Sequence, residues 1–284
     1  MASTEKTVSE ALRLAPGKVD LSDHDARATP LFDCGKKDGK KALTKLGDPL
    51  ADLQERLFAE GISGGRRSVL LVLQGMDTSG KGGIVRHAAG LVDPQGLSIK
   101  SFKAPTSEEL AHDFLWRITR ALPAAGQIGI FDRSHYEDVL IARVHGLVDT
   151  ELLESRYEAI NDFERRLVDE GTVVVKCFLH ISAEKQQERL LERLDDPHKH
   201  WKFNPGDVDE RALWPSYQHA YEIALERCNT DHAPWHVIPA DRKWYRNLAV
   251  GTMLHETLEA MDLGWPDADF DVAEQRRRLV ELKL

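Results

Sequence analysis

A glycine-rich stretch that directly follows an apolar run constrains the fold of this chain more than any other feature. The run SVLLVLQ occupies residues 68–74, and GMDTSGKGG follows over residues 75–83. Gly75, Gly80 and Lys81 have the spacing of a phosphate-binding loop. Such a loop lies between a buried strand and a helix, and its backbone N–H groups and the helix N-terminus attract phosphate. We therefore predict a strand–loop–helix unit that binds phosphate, in preference to an ordinary glycine-rich turn.

Two roles are expected within this loop. The ammonium group of Lys81 is expected to contact the phosphoryl group that is transferred. The remaining expected phosphate-binding residues of the loop are Gly75, Thr78, Ser79, Gly80 and Gly82.

The loop lacks the hydroxyl residue that usually holds magnesium, because Gly82 follows Lys81 where Ser or Thr is the rule. A metal ion would then need carboxylates from elsewhere. Asp77 lies inside the loop, and Asp132 ends the apolar run QIGIF, where a Walker-B carboxylate belongs. We predict that these two aspartates ligate Mg²⁺, with Mn²⁺ as a substitute. The alternatives are a turn-forming role for Asp77 and a helix cap at Asp132.

The pattern of apolar runs predicts an α/β fold. Strand-like runs alternate with helical stretches, which is typical of a parallel sheet covered on both faces. The strands are predicted over residues 68–74, 97–103, 127–132, 172–180 and 235–240. One helical stretch, residues 106–122, opens with the capping-box pair Thr106 and Glu109. We expect an irregular N-terminal arm over residues 1–40 and a single domain over residues 41–284.

Composition excludes several classes of protein. The formal charge of −9 over 284 residues argues against a general nucleic-acid binder. No eighteen apolar residues run together, and the first residues lack the apolar core of a signal peptide, so we expect no membrane association. Three widely spaced cysteines form no disulfide or zinc pattern, which favours a reducing, cytoplasmic setting.

A second group of cationic residues follows the fourth predicted strand. Arg189 and Arg193 lie four residues apart on one helix face, and Lys199 and Lys202 follow in PHKHWKF. We predict a lid over about residues 183–215 that closes on anions. The alternative is a solvated helix face on which the arginines pair with neighbouring glutamates.

Three residues around the predicted Walker-B segment have open roles. Arg133 either supports a metal-binding carboxylate or clamps a phosphate, and we favour the clamp. His135 and Glu137 are expected to pack, or to orient their neighbours or the nucleotide, rather than to act in catalysis directly.

Four segments resemble the polyphosphate kinase 2 family. They are GMDTSGKGG, then VDPQGLSIKSFKAPTSEELAHDFLWR, then IFDRSHYEDVLIARV, then RLLERLDDPHKHWKFNPGD, and the similarity runs from about residue 45 to residue 262. The resemblance implies a three-layer αβα P-loop kinase fold, similar to thymidylate kinase, with a five-stranded parallel sheet and a helical lid. It also implies reversible phosphate transfer between inorganic polyphosphate and a nucleotide, ADP and/or AMP, with magnesium. A dimer or tetramer is expected on the same basis.

The resemblance also carries over to individual residues. Asp77, Lys81, Asp132 and Arg133 match positions expected to be catalytic, and the lid arginines and lysines match a polyphosphate-binding region. Lys103 belongs to the FKAPT segment and is expected to lie near the nucleotide. The family loop also lacks the hydroxyl at the position of Gly82.

Three other functions compete with this interpretation. One is an ATP-dependent kinase of a small metabolite on the same fold. Another is a nucleotide- or polyphosphate-binding protein without turnover, which the paired Asp77 and Asp132 argue against. The third is a nucleic-acid-binding NTPase, which the acidic balance disfavours.

Overall fold

The computed structural model describes residues 6–282 and contains, within that range, one parallel sheet of five strands. The strands are β1 Ser68–Gln74, β2 Leu97–Ser101, β3 Ile128–Asp132, β4 Thr172–His180 and β5 Trp235–Pro239. They lie in the order β2–β3–β1–β4–β5, and all neighbouring pairs are parallel. Each strand begins within one residue of its predicted start, so the predicted α/β fold with a five-stranded parallel sheet is confirmed.

Helices fill the connections between the strands. The α-helices are α1 Val8–Leu12, α2 Lys36–Lys45, α3 Gly47–Ile62, α4 Lys81–His87, α5 Ser107–Leu110, α6 Trp116–Thr119, α7 Glu137–Val144, α8 Thr150–Asp169, α9 Ala183–Asp195, α10 Gly206–Ala212, α11 Trp214–Arg227, α12 Lys243–Ala260 and α13 Val272–Glu281. Four 3-10 turns lie at Leu21–Asp23, Ala89–Leu91, Pro94–Gly96 and Pro197–Lys202. One helical layer brings α12 against α2, α3 and α4, and another brings α7 against α8 and α11.

The central strand places the phosphate loop at a defined edge of the sheet. All seven residues of β1 are buried, as its continuous apolar sequence requires for a strand covered on both faces. Since the strands are parallel, the segments that follow β1, β3, β4 and β5 meet at one edge. Ligands of open parallel sheets bind at this carboxyl edge.

One predicted helix is wrong. Residues 106–122 form two short helices, α5 and α6, instead of one continuous helix. The capping box of Thr106 and Glu109 is present at the start of α5. The break follows from Asp113, whose carboxylate accepts a hydrogen bond from the backbone N–H of Leu115 at 2.9 Å. An Asp side chain that bonds to the backbone two residues further on competes with helix formation.

The N-terminal arm is more ordered than predicted. It contains α1 and a 3-10 turn, and α2 begins at Lys36, inside the range predicted to be irregular. Its apolar residues Val8, Leu12 and Leu21 are buried in the core. Arg13 forms an isolated antiparallel bridge with His236 of β5. The first five residues of the arm lie outside the described range, and the division into arm and domain at residue 40 stays a prediction.

The helices within residues 6–282 include none that is both long and apolar enough to cross a bilayer. The cysteines Cys34, Cys177 and Cys228 are free thiols.

Candidate active site

The glycine loop has the backbone conformation of an anion-binding turn. Gly75 and Gly80 have φ values of 148° and 108°, and Thr78 has a φ of 64°. Non-glycine residues with positive φ are uncommon and cluster at functional sites. Among residues 6–282, no protein group accepts the backbone N–H of Asp77, Thr78 or Gly80. These donors are therefore available to an anionic ligand.

Lys81, the first residue of α4, places its ammonium group back over the loop. Its Nζ donates to the carbonyl oxygen of Gly75 at 2.7 Å, and the residue is only 9% exposed. Burial lowers the pKa of Lys81, while the negative charges of Asp77 and Asp132 oppose that shift. A buried ammonium group held in this way interacts strongly with phosphate, because little water screens it.

Asp77 and Arg133 form an ion pair at the mouth of the loop. Arg133 Nη2 lies 3.1 Å from Asp77 Oδ1. Burial would raise the pKa of Asp77, but Lys81 and Arg133 outweigh it and hold the pKa below its ordinary value. The carboxylate is therefore ionised at neutral pH and able to bind a cation. Of the two roles weighed for Arg133, the structure displays support of a carboxylate, and the phosphate clamp stays a prediction.

Asp132 is the last residue of β3, beside β1 and its loop. Its backbone carbonyl accepts a hydrogen bond from Phe102 N–H at 3.0 Å, and β3 continues into Arg133, whose φ is 64°. This left-handed residue turns the chain sharply at the end of the strand. Residues held in such conformations persist only where the surrounding structure determines them.

The predicted magnesium ligands Asp77 and Asp132 offer the type of oxygen atom that this ion prefers. No cluster of three or more His, Cys, Asp or Glu side chains within residues 6–282 is arranged to hold a metal with protein ligands alone. Mg²⁺ commonly takes one or two carboxylates and fills its octahedral shell with water and substrate phosphates. Asp77 and Asp132 line the same cavity and supply hard oxygen ligands of that kind.

His135 and Glu137 lie shortly after β3, outside the cavity that Asp77 and Asp132 line. His135 is fully buried, and its Nε2 lies 3.1 Å from Glu164 Oε1. Glu137 begins α7 and is half-buried. Burial raises the pKa of Glu137, and the cations Arg133 and Lys81 oppose that shift. Neither side chain lines the cavity. That they pack, or orient their neighbours or the nucleotide, stays a prediction.

Arg189 forms hydrogen bonds with backbone carbonyl groups of the phosphate loop. Its Nη1 donates to the carbonyls of Thr78 at 2.7 Å and Ser79 at 3.2 Å, and its Nη2 donates to those of Ala240 at 2.8 Å and Asp241 at 2.9 Å. Four contacts to carbonyl oxygens leave few donors for a ligand. Arg189 therefore positions the loop in this structure, and its predicted contact with polyphosphate stays a prediction.

Arg193 connects two helices of the predicted lid. Its Nη1 donates to the carbonyl of Lys202 at 2.9 Å and to Asp207 Oδ2 at 3.3 Å. Since α9 carries Arg193 and α10 carries Asp207, the contact links these two helices. The alternative of a solvated helix face, with each arginine paired to a glutamate on the same helix, is wrong.

The two lid lysines extend from the 3-10 turn Pro197–Lys202. Lys199 pairs with Asp196 at 3.0 Å, and Lys202 Nζ lies 4.9 Å from the ring centroid of Trp201. Trp201 is 79% exposed. Both partners lie in this turn or directly before it.

A cavity of about 770 Å³ collects most of the predicted site residues. The predicted residues that line it are Asp77, Thr78, Gly80, Lys81, Gly82, Lys103, Asp132, Arg133, Arg189, Arg193, Lys199 and Lys202. Gly75 and Ser79 belong to the loop but do not line the cavity, and His135 and Glu137 lie outside it. The loop, the two aspartates and the cationic lid thus share one space, where an anionic chain and a divalent cation have binding groups.

Sequence reasoning missed the residues that α12 contributes. Lys243, Arg246 and Asn247 line the cavity, and Arg246 is only 3% exposed. A signal was present, because Arg246 and Asn247 interrupt an otherwise apolar stretch between Trp244 and Val250. A charged residue within such a stretch is rarely buried unless it has partners.

The chain is similar to known proteins in sequence and in fold. Residues 33–264 match the family model described as Polyphosphate kinase 2. The chain is 47% identical over 253 residues to an AMP/ADP-polyphosphate phosphotransferase of Meiothermus ruber, covering 89% of this chain and 93% of that protein. It is 37% identical over 291 residues to an ADP-polyphosphate phosphotransferase of Rhodopseudomonas palustris, covering 98% of each. A crystal structure of Polyphosphate Kinase 2 from Arthrobacter aurescens TC1 superposes with a TM-score of 0.95 at 53% identity, covering 98% of each chain.

Proposed function

The chain belongs to the polyphosphate kinase 2 family and is a polyphosphate:nucleotide phosphotransferase, and we propose that its substrates exchange a phosphoryl group in the loop cavity. One observation supports this proposal most strongly. The phosphate loop, Asp77, Asp132 and the cationic residues of the predicted lid line a single cavity of about 770 Å³. A polyanionic donor and an anionic acceptor repel each other, so their meeting requires cationic groups on several sides.

The proposed reaction is a direct in-line transfer without a covalent enzyme intermediate. A terminal phosphate oxygen of the nucleotide attacks the end phosphorus of polyphosphate, and the bond to the bridging oxygen breaks. Because phosphate oxygens are already largely anionic near neutral pH, the attack needs no strong general base. One phosphoanhydride is formed as another is broken, so the reaction is reversible.

The chain's own residues bind and orient the reacting groups. The free N–H groups of the loop and the ammonium of Lys81 contact the equatorial oxygens of the transferred phosphoryl group. Arg133 holds Asp77 in place and offers its remaining donors to the same oxygens. The lid residues Lys199 and Lys202 bind the part of the polyphosphate chain that extends beyond the loop.

The site residues fit Mg²⁺, with Mn²⁺ as a substitute. Asp77 and Asp132 would hold the ion together with substrate oxygens and water. When bound, the ion would neutralise negative charge on the reacting phosphates.

We propose that both ADP and AMP serve as acceptors. The relative at 47% identity is named an AMP/ADP-polyphosphate phosphotransferase, whereas the relative at 37% identity is named for ADP. The homo-oligomeric state, a dimer or a tetramer, stays a prediction.

Product analysis tests this function directly. Protein, Mg²⁺ and polyphosphate are incubated with either ADP or AMP, and the nucleotides are separated by chromatography. We expect ATP from ADP, and ADP followed by ATP from AMP, with polyphosphate as the sole phosphate donor. The absence of product with polyphosphate, combined with turnover of a small metabolite by ATP, would support the competing kinase instead.

A matched pair of variants links the activity to the cavity. Asp132→Asn removes one cavity carboxylate, and Asp169→Asn makes the same change at an exposed position near the opposite edge of the sheet. Only the first should lose activity. Equal activity of the two variants would mean that the reaction does not take place in this cavity.

A further inference from the structure

Arg246 is a buried cation that the function described above does not use. It lies in the first two turns of α12, directly after β5, and is 3% exposed. Its neighbours Tyr245, Leu248 and Ala249 belong to the hydrophobic core. A guanidinium group at such a position is costly unless it is hydrogen-bonded and its charge is balanced.

Its hydrogen bonds tie it to the phosphate loop. Nη1 donates to the carbonyl of Ser79 at 2.8 Å, and Nε and Nη2 donate to Asn247 Oδ1 at 3.2 Å and 2.8 Å. A Cβ atom on Gly80 would lie 1.7 Å from Nη1, and one on Gly83 would lie 2.5 Å from Nη2. The guanidinium group is thus seated against the turn that connects the loop to α4, and it holds the Ser79 carbonyl that Arg189 also contacts.

Within residues 6–282 its charge has no acidic partner. No carboxylate of residues 6–282 lies within ion-pair distance of Arg246. The charged group that acts on it is another cation, Arg189. Burial and this neighbour lower the pKa of Arg246 to about 9, so the group remains charged at neutral pH. Asn247 supplies a neutral amide oxygen at the place where a carboxylate would complete an ion pair.

Both residues line the cavity in which the phosphates are expected to bind. We propose that Arg246 is a positioning residue for the phosphate loop, and that the anionic substrate, rather than a protein carboxylate, balances its charge. The proposal rests on the assigned polyphosphate substrate. In physical terms, the protein keeps an unbalanced positive charge behind the loop, and that charge strengthens polyphosphate binding at the expense of the stability of the free protein.

Asn247→Asp tests this idea, because it adds a carboxylate at the atom that Arg246 already contacts. Asn247 Nδ2 donates to no described protein acceptor, so the exchange breaks no hydrogen bond within residues 6–282. We expect the free variant to unfold at a higher temperature than the wild type. Its affinity for polyphosphate should fall by on the order of tenfold or more, because a nearby charge has been neutralised in a site of low dielectric constant.

The dependence of binding on salt separates charge from packing. Each cationic contact that is lost reduces the slope of log Kd against log salt concentration by about one in nucleic acids, and we expect a shallower slope for polyphosphate by analogy. Gln95→Glu is the matched control, since it adds one negative charge at an exposed position on the opposite edge of the sheet. Asn247→Ala removes the amide without adding charge, so its slope should match that of the wild type.

Arg246→Lys provides the second line of evidence. It keeps the charge but loses the guanidinium fork, so the salt slope should persist while kcat falls through poorer placement of the loop. Binding is measured by calorimetry with polyphosphate of one chain length and without nucleotide. Wild-type affinity and slope in Asn247→Asp would overturn the proposal, as would a destabilised variant with an unchanged slope. Failure of the wild type to bind polyphosphate would instead refute the proposed function.

Discussion

Replacing Lys176 with methionine should destabilise the protein by several kcal/mol although the residue does not line the active-site cavity. Lys176 lies on β4 with its side chain fully buried, and its Nζ contacts Glu164 Oε2 at 2.6 Å. Nζ also donates to the hydroxyl of Tyr136 at 2.9 Å and to the carbonyl of Cys228 at 2.7 Å. The other oxygen of Glu164 accepts hydrogen bonds from Tyr136 at 2.8 Å and from His135 at 3.1 Å.

The magnitude follows from the charge that remains. Removing one member of a buried ion pair leaves the other without compensation and typically costs ~3–5 kcal/mol. A loss of that size lowers Tm by roughly 6–20 °C, at about 2–4 °C per kcal/mol for domains slightly smaller than this chain. The double variant Lys176→Met with Glu164→Gln removes both charges of this pair, so it should lose far less stability than the sum of the two single variants.

The loss of stability in the Lys176→Met variant should depend on pH, because Glu164 titrates. Burial alone would raise the pKa of Glu164, but Lys176 and His135 outweigh it and hold the pKa below its ordinary value. In the wild type the pair therefore stabilises the fold above the pKa of an unfolded glutamate, about 4.3. This contribution is lost as the pH falls through the lowered folded pKa. In the Lys176→Met variant, burial is expected to raise the pKa of Glu164. As the pH falls, Glu164 becomes protonated, and the cost of burying an unpaired carboxylate disappears. The stability difference between the two proteins should therefore be largest near neutral pH and narrow toward pH ~4.

Urea unfolding monitored by circular dichroism at a series of pH values measures this difference. A loss below about 1 kcal/mol at pH 7 would refute the reasoning, because it would mean that the buried charge is compensated by other groups. A loss that is the same at pH 7 and pH 4 would refute it too, since packing alone does not titrate.

The site itself leads to four further predictions. Asp77→Asn and Asp132→Asn should each lower kcat by on the order of 10²-fold or more with an unchanged circular dichroism spectrum, and wild-type-like rates in either would contradict the metal assignment. Chelation with EDTA should abolish turnover, and added Mg²⁺ or Mn²⁺ should restore it; activity that persists in EDTA would argue against a metal. The KM for polyphosphate should rise steeply with salt concentration, whereas a flat profile would count against the cationic lid. Gly80→Ala should destabilise the fold by about 1–2 kcal/mol, because the φ of Gly80 is positive and a Cβ atom would meet Arg246. Gly82→Ala should stabilise the fold by up to about 1 kcal/mol, because Gly82 is helical and a Cβ atom there would meet nothing. Thermal unfolding measures both variants, and equal changes in Tm would contradict the distinction.

The strands were predictable because a strand buried on both faces leaves a plain signature. In β1 apolar residues run continuously, in β4 Lys176 interrupts the run, and in β3 the run ends at a single carboxylate. Such a run cannot lie on a surface, so its place in the sheet follows from composition alone. The break between α5 and α6 was not predictable in this way, because it depends on one side chain, Asp113, that bonds to the local backbone.

The edge of the sheet that carries the candidate site was also predictable, because parallel strands bring their carboxyl ends together. Asp77 and Asp132 lie far apart in sequence, yet Asp77 follows β1, Asp132 ends β3, and the two strands are neighbours in the sheet. The partners of the arginines were not predictable. Periodicity assigns Arg189 to a helix face, but its acceptors are backbone carbonyls of the loop and of the segment after β5. Carbonyl groups occur at every residue, so no sequence pattern marks them as acceptors.

Two glycines of the loop illustrate how structure separates requirements that sequence cannot. Gly80 must be glycine, because its φ is 108° and the guanidinium group of Arg246 occupies the space of a side chain. At Gly82 a Cβ would meet nothing within 4 Å, so packing does not exclude the usual Ser or Thr. Steric exclusion therefore does not explain why the loop lacks a hydroxyl at this position. Asp77 inside the loop offers a charged oxygen in place of that hydroxyl. A carboxylate carries more negative charge than a hydroxyl toward an anionic substrate, and that difference accounts for the cations around it: Lys81 and Arg133 at its sides, and Arg246 behind the loop.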